Sequence, residues 1–169
     1  MGLTHRQVLN NKETHSMSKI IKSIKLPNLE LDLENPRFES DKVDSQRDAI
    51  IKNFEIPNMK SKLIELAKHI TENGEDPSEL PLVIPQKNKG KYIVVEGNRR
   101  VLVYKLLNNI GLCPSDVKAK FQSIIDEALV EIPGEVQCSI MGSRKDANDW
   151  IELKHTGQNK GAGRVEWDG

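Results

Sequence analysis

The 169-residue chain sets 25 Lys and Arg against 25 Asp and Glu. Zero net charge argues against coating nucleic acid along the whole surface and confines any such contact to a local patch. With 37% apolar and 30% charged residues, the chain can build one modest core with solvated helices, and no run nears the roughly 20 apolar residues of a membrane helix.

Residues 1–18 are polar and without periodicity, so a mobile extension is expected there, with the folded domain over 19–169. Arg6 breaks a myristoylation pattern, and no signal-peptide core is present. Leu29 to Leu33 alternates leucine with Glu30 and Asp32, the rhythm of a half-buried strand that Asn35-Pro36 stops. Asp44 and Ser45 can cap a helix bearing Ala49, Ile50, Ile51 and Phe54. From Asn58 or Met59 to about Thr71, Leu63, Ile64, Leu66, Ala67 and Ile70 predict an amphipathic helix closed by Asn73-Gly74. His69 on this helix reads as a surface residue. Leu82-Val83-Ile84 and Tyr92 to Val95 read as strands joined by the Asn88-Lys89-Gly90 turn. A helix is expected from Asn98 to Asn109, and another from Pro114-Ser115 through Phe121, Ile124, Ile125, Ala128 and Leu129. Val136 to Ile140 has a strand's alternation. Ser143 can cap a last helix whose spacing puts Ala147, Trp150, Ile151 and Leu153 on the core side. The chain ends as a further amphipathic segment begins, as expected of the N-terminal part of a longer protein. Cys113 and Cys138 lie far apart without metal-ligand spacing, which suits buried thiols in a reducing, cytoplasmic setting.

Two polar constellations stand out. At Glu96-Gly97-Asn98-Arg99-Arg100 the apolar period changes from that of a strand to that of a helix. Such a junction exposes unpaired N–H groups at the positive end of a helix and suits a phosphate. Gly97 allows close backbone approach, and Arg99 and Arg100 carry forks that match phosphate oxygens. Glu96 could pair with an arginine, hold Mg²⁺ beside phosphates, or act as a general base. The same residues also fit an ordinary strand-to-helix turn with a surface ion pair. The second constellation runs from Lys154, His155 and Thr156 through Asn159 and Lys160 to Arg164, with Gly157, Gly161 and Gly163. It can form a nest of backbone donors, or simply a helix stop and exit loop. Arg37, after Asn35-Pro36, is open to clamping the fold or reaching a ligand.

The order Glu34-Asn35-Pro36-Arg37-Phe38, Leu80-Pro81-Leu82-Val83, then Tyr92-Ile93-Val94-Val95-Glu96-Gly97-Asn98-Arg99-Arg100 resembles the ParB/sulfiredoxin superfamily. The resemblance spans roughly Leu26 to Lys160. It implies an α/β (α+β) fold, a small mixed sheet surrounded by helices. It also implies that Gly97, Asn98, Arg99 and Arg100 bind nucleotide phosphates. A second nucleotide-contacting segment of the family has its nearest counterpart in Glu152-Leu153-Lys154-His155-Thr156. Sulfiredoxin's cysteine follows the glycine directly; Asn98 stands there, so reduction of sulfinic acid is not expected. Centromere-binding relatives carry Glu at that place and continue into a helix-turn-helix, so a chromosome clamp is not expected either. Relatives that are serine kinases or nucleotide-sensing defence proteins have an acidic residue before the glycine, as Glu96 is here.

The leading expectation is a nucleotide-binding domain in a DNA-related role, holding a nucleoside triphosphate with Mg²⁺ and leaning towards its hydrolysis. Glu96 would be the catalytic or metal-holding group. Arg37, Gly97, Asn98, Arg99, Arg100, Lys154, His155, Thr156 and Asn159 would be the phosphate or nucleotide contacts. The alternatives are a metal-dependent DNase and a non-catalytic DNA- or protein-binding module. Nucleotide, DNA and a second copy of the chain are the partners considered, and no membrane.

Overall fold

The computed structural model describes residues 20–88 and 90–155. The expected extension over 1–18, together with Thr156, Asn159 and the glycine-rich run, lies outside the described residues. The fold is α/β. Five strands, β1 (Ile20–Lys25), β2 (Leu29–Leu31), β3 (Leu82–Pro85), β4 (Tyr92–Glu96) and β5 (Glu135–Ile140), form one sheet in the order β1-β5-β3-β4-β2. The sheet is mixed: β1 with β5 and β3 with β4 are antiparallel, while β2 with β4 and β3 with β5 are parallel.

Five α-helices join it among the described residues: α1 (Gln46–Glu55), α2 (Met59–Asn73), α3 (Asn98–Asn108), α4 (Ser115–Asp126) and α5 (Arg144–His155). Helix α3 is the central one. Val101, Leu102, Val103, Tyr104, Leu106 and Leu107 are all buried, so the helix has almost no solvated face, as a core helix must. It packs against α2 and α4, and α1 covers α2. The ends of these helices follow local chemistry. Ser45 accepts a hydrogen bond from the Asp48 N–H at the start of α1 (3.1 Å), and Gly74 at φ +83° stops α2.

The expected elements over 44–126 and 136–155 are present with ends shifted by a few residues. One strand is added and three readings are corrected. Strand β1 is an addition, and it hid from periodicity because Ile24 is its one buried residue. Strand β2 ends at Leu31, and Asp32 turns inward to 3% exposure instead of facing solvent, since Arg144 meets it there. Helix α4 ends at Asp126, where the Leu129 and Val130 N–H groups donate to Thr71 O, leaving Leu129 78% exposed. Trp150 is 44% exposed and not a core residue. On α5 the inward side is the arc of Arg144, Ala147, Ile151 and Lys154, about 80° wide at 100° per residue, and Trp150 falls outside it.

Candidate functional site

The described residues of the two constellations meet. A cleft of about 460 Å³ is lined at once by Val95 to Arg100, by Asn35-Pro36-Arg37, and by Ile151, Lys154 and His155 of α5, with Leu66 and Glu79 completing its wall.

Its floor is the β4–α3 junction. Gly97 sits at φ +89°, ψ +13°, a left-handed conformation, as the residue before α3. Its C=O accepts the Val101 N–H (3.0 Å). A Cβ here would stand 3.1 Å from Pro81 Cβ, so the position needs glycine for space as well as for φ. No side chain caps α3, and its first turn holds no acidic residue. The opening N–H groups of an eleven-residue helix therefore keep their positive potential at the cleft.

Asn98 is a tether. Its Nδ2 donates to Val94 O (2.7 Å) and its Oδ1 accepts the Asp32 N–H (2.9 Å), joining the ends of β2 and β4. The side chain thus gives one donor and one acceptor to the backbone. Its main-chain N–H belongs to the opening turn of α3 at the cleft.

The cations divide into free and committed. Arg37 is exposed and carried by a tight 3-10 turn, Pro36–Phe38, which Asn35 caps by accepting the Arg37 N–H (3.1 Å) while Phe38 is buried. Arg99 is exposed at the first turn of α3. Neither guanidinium makes an ion pair or hydrogen bond among the described residues. Arg100 points its Nη2 at Asp76, 3.8 Å away. The Ser78 side chain and N–H hold the Asp76 carboxyl below the usual range, with a smaller contribution from the Arg100 charge.

Lys154 sits between two carboxylates, with Nζ 2.6 Å from Glu79 Oε2 and 3.1 Å from Glu96 Oε2. His155 Nε2 is 3.9 Å from Glu96 Oε1. Burial works against the Lys154 ammonium, but hydrogen bonds to Glu79 and Glu96 outweigh it, and its pKa stands above the ordinary lysine value. Lys154 therefore neutralises carboxylates at the cleft wall and does not stand free to bind phosphate. With Arg37, Arg99, Arg100 and Lys154 against Glu79 and Glu96, the lining keeps an excess of positive charge.

The described residues form no ready-made cage for Mg²⁺, an ion more often held by one or two carboxylates together with substrate phosphates. Among the described residues no group of three or more His, Cys, Asp or Glu is placed to hold a metal ion, and the Glu96 carboxylate is taken by Lys154. Sequence reading missed Glu79, Asp76 and the Asp32–Arg144 pair. Nothing local marks them, since each acquires its role from a residue 24 or more positions away. Comparison of the chain with models of protein families, with curated proteins and with solved structures gives no match.

Proposed function

We propose that this cleft binds a nucleoside triphosphate, with the phosphates at the N-terminus of α3. The observation that carries the reading is a pair of guanidiniums with no ion pair or hydrogen bond among the described residues. Arg37 and Arg99 come from segments 62 residues apart, line one cleft, and flank an uncapped helix N-terminus. Two planar forks and a row of backbone donors match the several oxygens of a polyphosphate. Pro36, Leu66, Val95 and Ile151 supply apolar lining for a base, and the volume is that of a small-molecule site. The resemblance to ParB/sulfiredoxin domains at Gly97 to Arg100 points the same way.

Binding has more support than turnover. Hydrolysis would ask Glu96 to take a proton or hold a metal, and that carboxylate is neutralised by Lys154. A nuclease needs a set of carboxylates around a metal, for which the described residues give no grouping. Isothermal titration calorimetry with ATP, GTP, CTP and UTP tests the proposal. At least one should bind, and Arg99→Ala should weaken it tenfold or more, about 1.4 kcal/mol. No heat with any of the four, or an affinity untouched in both Arg99→Ala and Arg37→Ala, would overturn it. DNA binding with steep salt dependence and no response to nucleotide would favour the DNA-contact alternative.

A further inference from the structure

The core helix α3 carries a polar group that the fold leaves unpaired. Tyr104 is 0% exposed, and its hydroxyl has no hydrogen-bond partner among the described residues. Such a group gives up its bonds to water without a replacement, so a phenylalanine filling the same space would suit the core better. The chain has two tyrosines. Tyr92 is half-buried at the start of β4; Tyr104 is the one whose hydroxyl sits where it costs stability.

The surroundings of that hydroxyl connect it with the cleft. Tyr104 follows Arg100 by one helical turn on α3, and helical side chains lean towards the N-terminus, so the two share one side of the helix. Burial pushes the phenol pKa up and the Glu75 charge adds to the rise. The Arg100 guanidinium is near enough to oppose it without completing a hydrogen bond to Oη. Arg100 also stops short of Asp76: its Nη2 is 3.8 Å from Oδ2, where charges attract but no hydrogen bond forms. Both neighbouring carboxylates have other donors. Asp76 Oδ1 accepts the Ser78 N–H at 2.9 Å and the Ser78 hydroxyl at 2.6 Å, and Glu75 Oε1 accepts the Gln137 N–H at 3.3 Å. A guanidinium that lines the cleft thus lies between a carboxylate it does not reach and a hydroxyl that lacks a donor.

We propose that Tyr104 is a positioning residue: when a polyphosphate occupies the cleft, its hydroxyl accepts an N–H of Arg100 and fixes the guanidinium in the direction of the phosphates. The inference rests on the phosphate reading of the cleft and deepens it. A guanidinium carries its donors in one plane, so it can face an anion on one edge and the hydroxyl on another. The hydroxyl is unpaired in the free protein and paired in the complex, so its hydrogen bond favours binding and not folding. Tyr104 touches no ligand and acts through Arg100.

Tyr104→Phe separates this role from packing, because its two readouts move in opposite directions. Urea unfolding of the free protein should give a midpoint equal to or above the parent's, while calorimetry with inorganic triphosphate should show binding weakened roughly fivefold or more. A lower midpoint would mean that the hydroxyl supports the fold, and a smaller loss of affinity would mean that it does not steer Arg100; either result overturns the inference. In an Arg100→Ala background Tyr104→Phe should leave affinity within about twofold, and a larger loss there would show that the hydroxyl does not act through Arg100. The complex also has a spectroscopic signature. With tyrosine labelled at ¹³Cζ the chain gives two signals, and triphosphate should shift that of Tyr104 and leave that of Tyr92 in place. A Tyr104 signal unmoved at saturation would count against the proposal and sink it. A parent protein that binds no triphosphate overturns the reading of the cleft and this inference with it, whereas a parent that binds and a Tyr104→Phe variant that binds equally well removes the inference alone.

Discussion

At the scale of single residues, the cleft is made by a separation of tasks among neighbours. Gly97 makes the turn, Asn98 ties it to β2, Arg99 has no ion pair or hydrogen bond among the described residues, and Arg100 is turned back to Asp76. Four adjacent residues thus have four roles, and among the described residues Arg99 is the one whose side chain is uncommitted. Gly97 is the most demanding position. Any Cβ meets a left-handed φ and the Pro81 ring together, so Gly97→Ala should cost about 1–3 kcal/mol. Urea unfolding followed by circular dichroism measures this, and a variant as stable as the parent would show that the β4–α3 junction can relax.

At the scale of elements, most of the fold could be read in advance wherever burial follows one period. Helix α2 shows its leucine and isoleucine stripe and its Gly74 stop, and strands β3 and β4 show their branched runs. Where tertiary contacts overrule the local rhythm, periodicity misleads. Asp32 reads as the outward side of β2 but is drawn in by an arginine 112 residues later. Trp150 reads as core because helical spacing gives no origin of phase; Ala147 is the residue of α5 that is buried instead. The site was legible to the same degree. The junction after Val95 and the residues at 154–155 were found, and they do share a cleft. The carboxylates that occupy Lys154 were not, because a charge pair between distant segments leaves no mark in either. The cysteines follow the simpler rule. Cys113 and Cys138, on the core side of their segments, are buried thiols that burial pushes up to about 11 and about 12. Both stay protonated at pH 8, so iodoacetamide should label the folded protein roughly a hundredfold or more slower than free cysteine. Mass spectrometry with and without urea reads this; fast labelling of either thiol in the native protein would contradict the burial.

At the scale of the whole molecule, the sheet and the core helix α3 act as a platform that brings three distant segments to one rim. The turn at Pro36 delivers Arg37, the β4–α3 junction delivers Arg99 and the helix N-terminus, and α5 delivers Lys154. The chain is neutral overall, yet this rim collects guanidiniums whose charge the described residues do not balance. That local imbalance is the centre of the account, and amide-resolved NMR tests it most directly. Titration of ¹⁵N-labelled protein with inorganic triphosphate should move the N–H signals of Asn98 to Val101 and the Nε–H signals of Arg37 and Arg99 first and furthest. Shifts concentrated on another face, with the start of α3 unmoved at saturation, would contradict it.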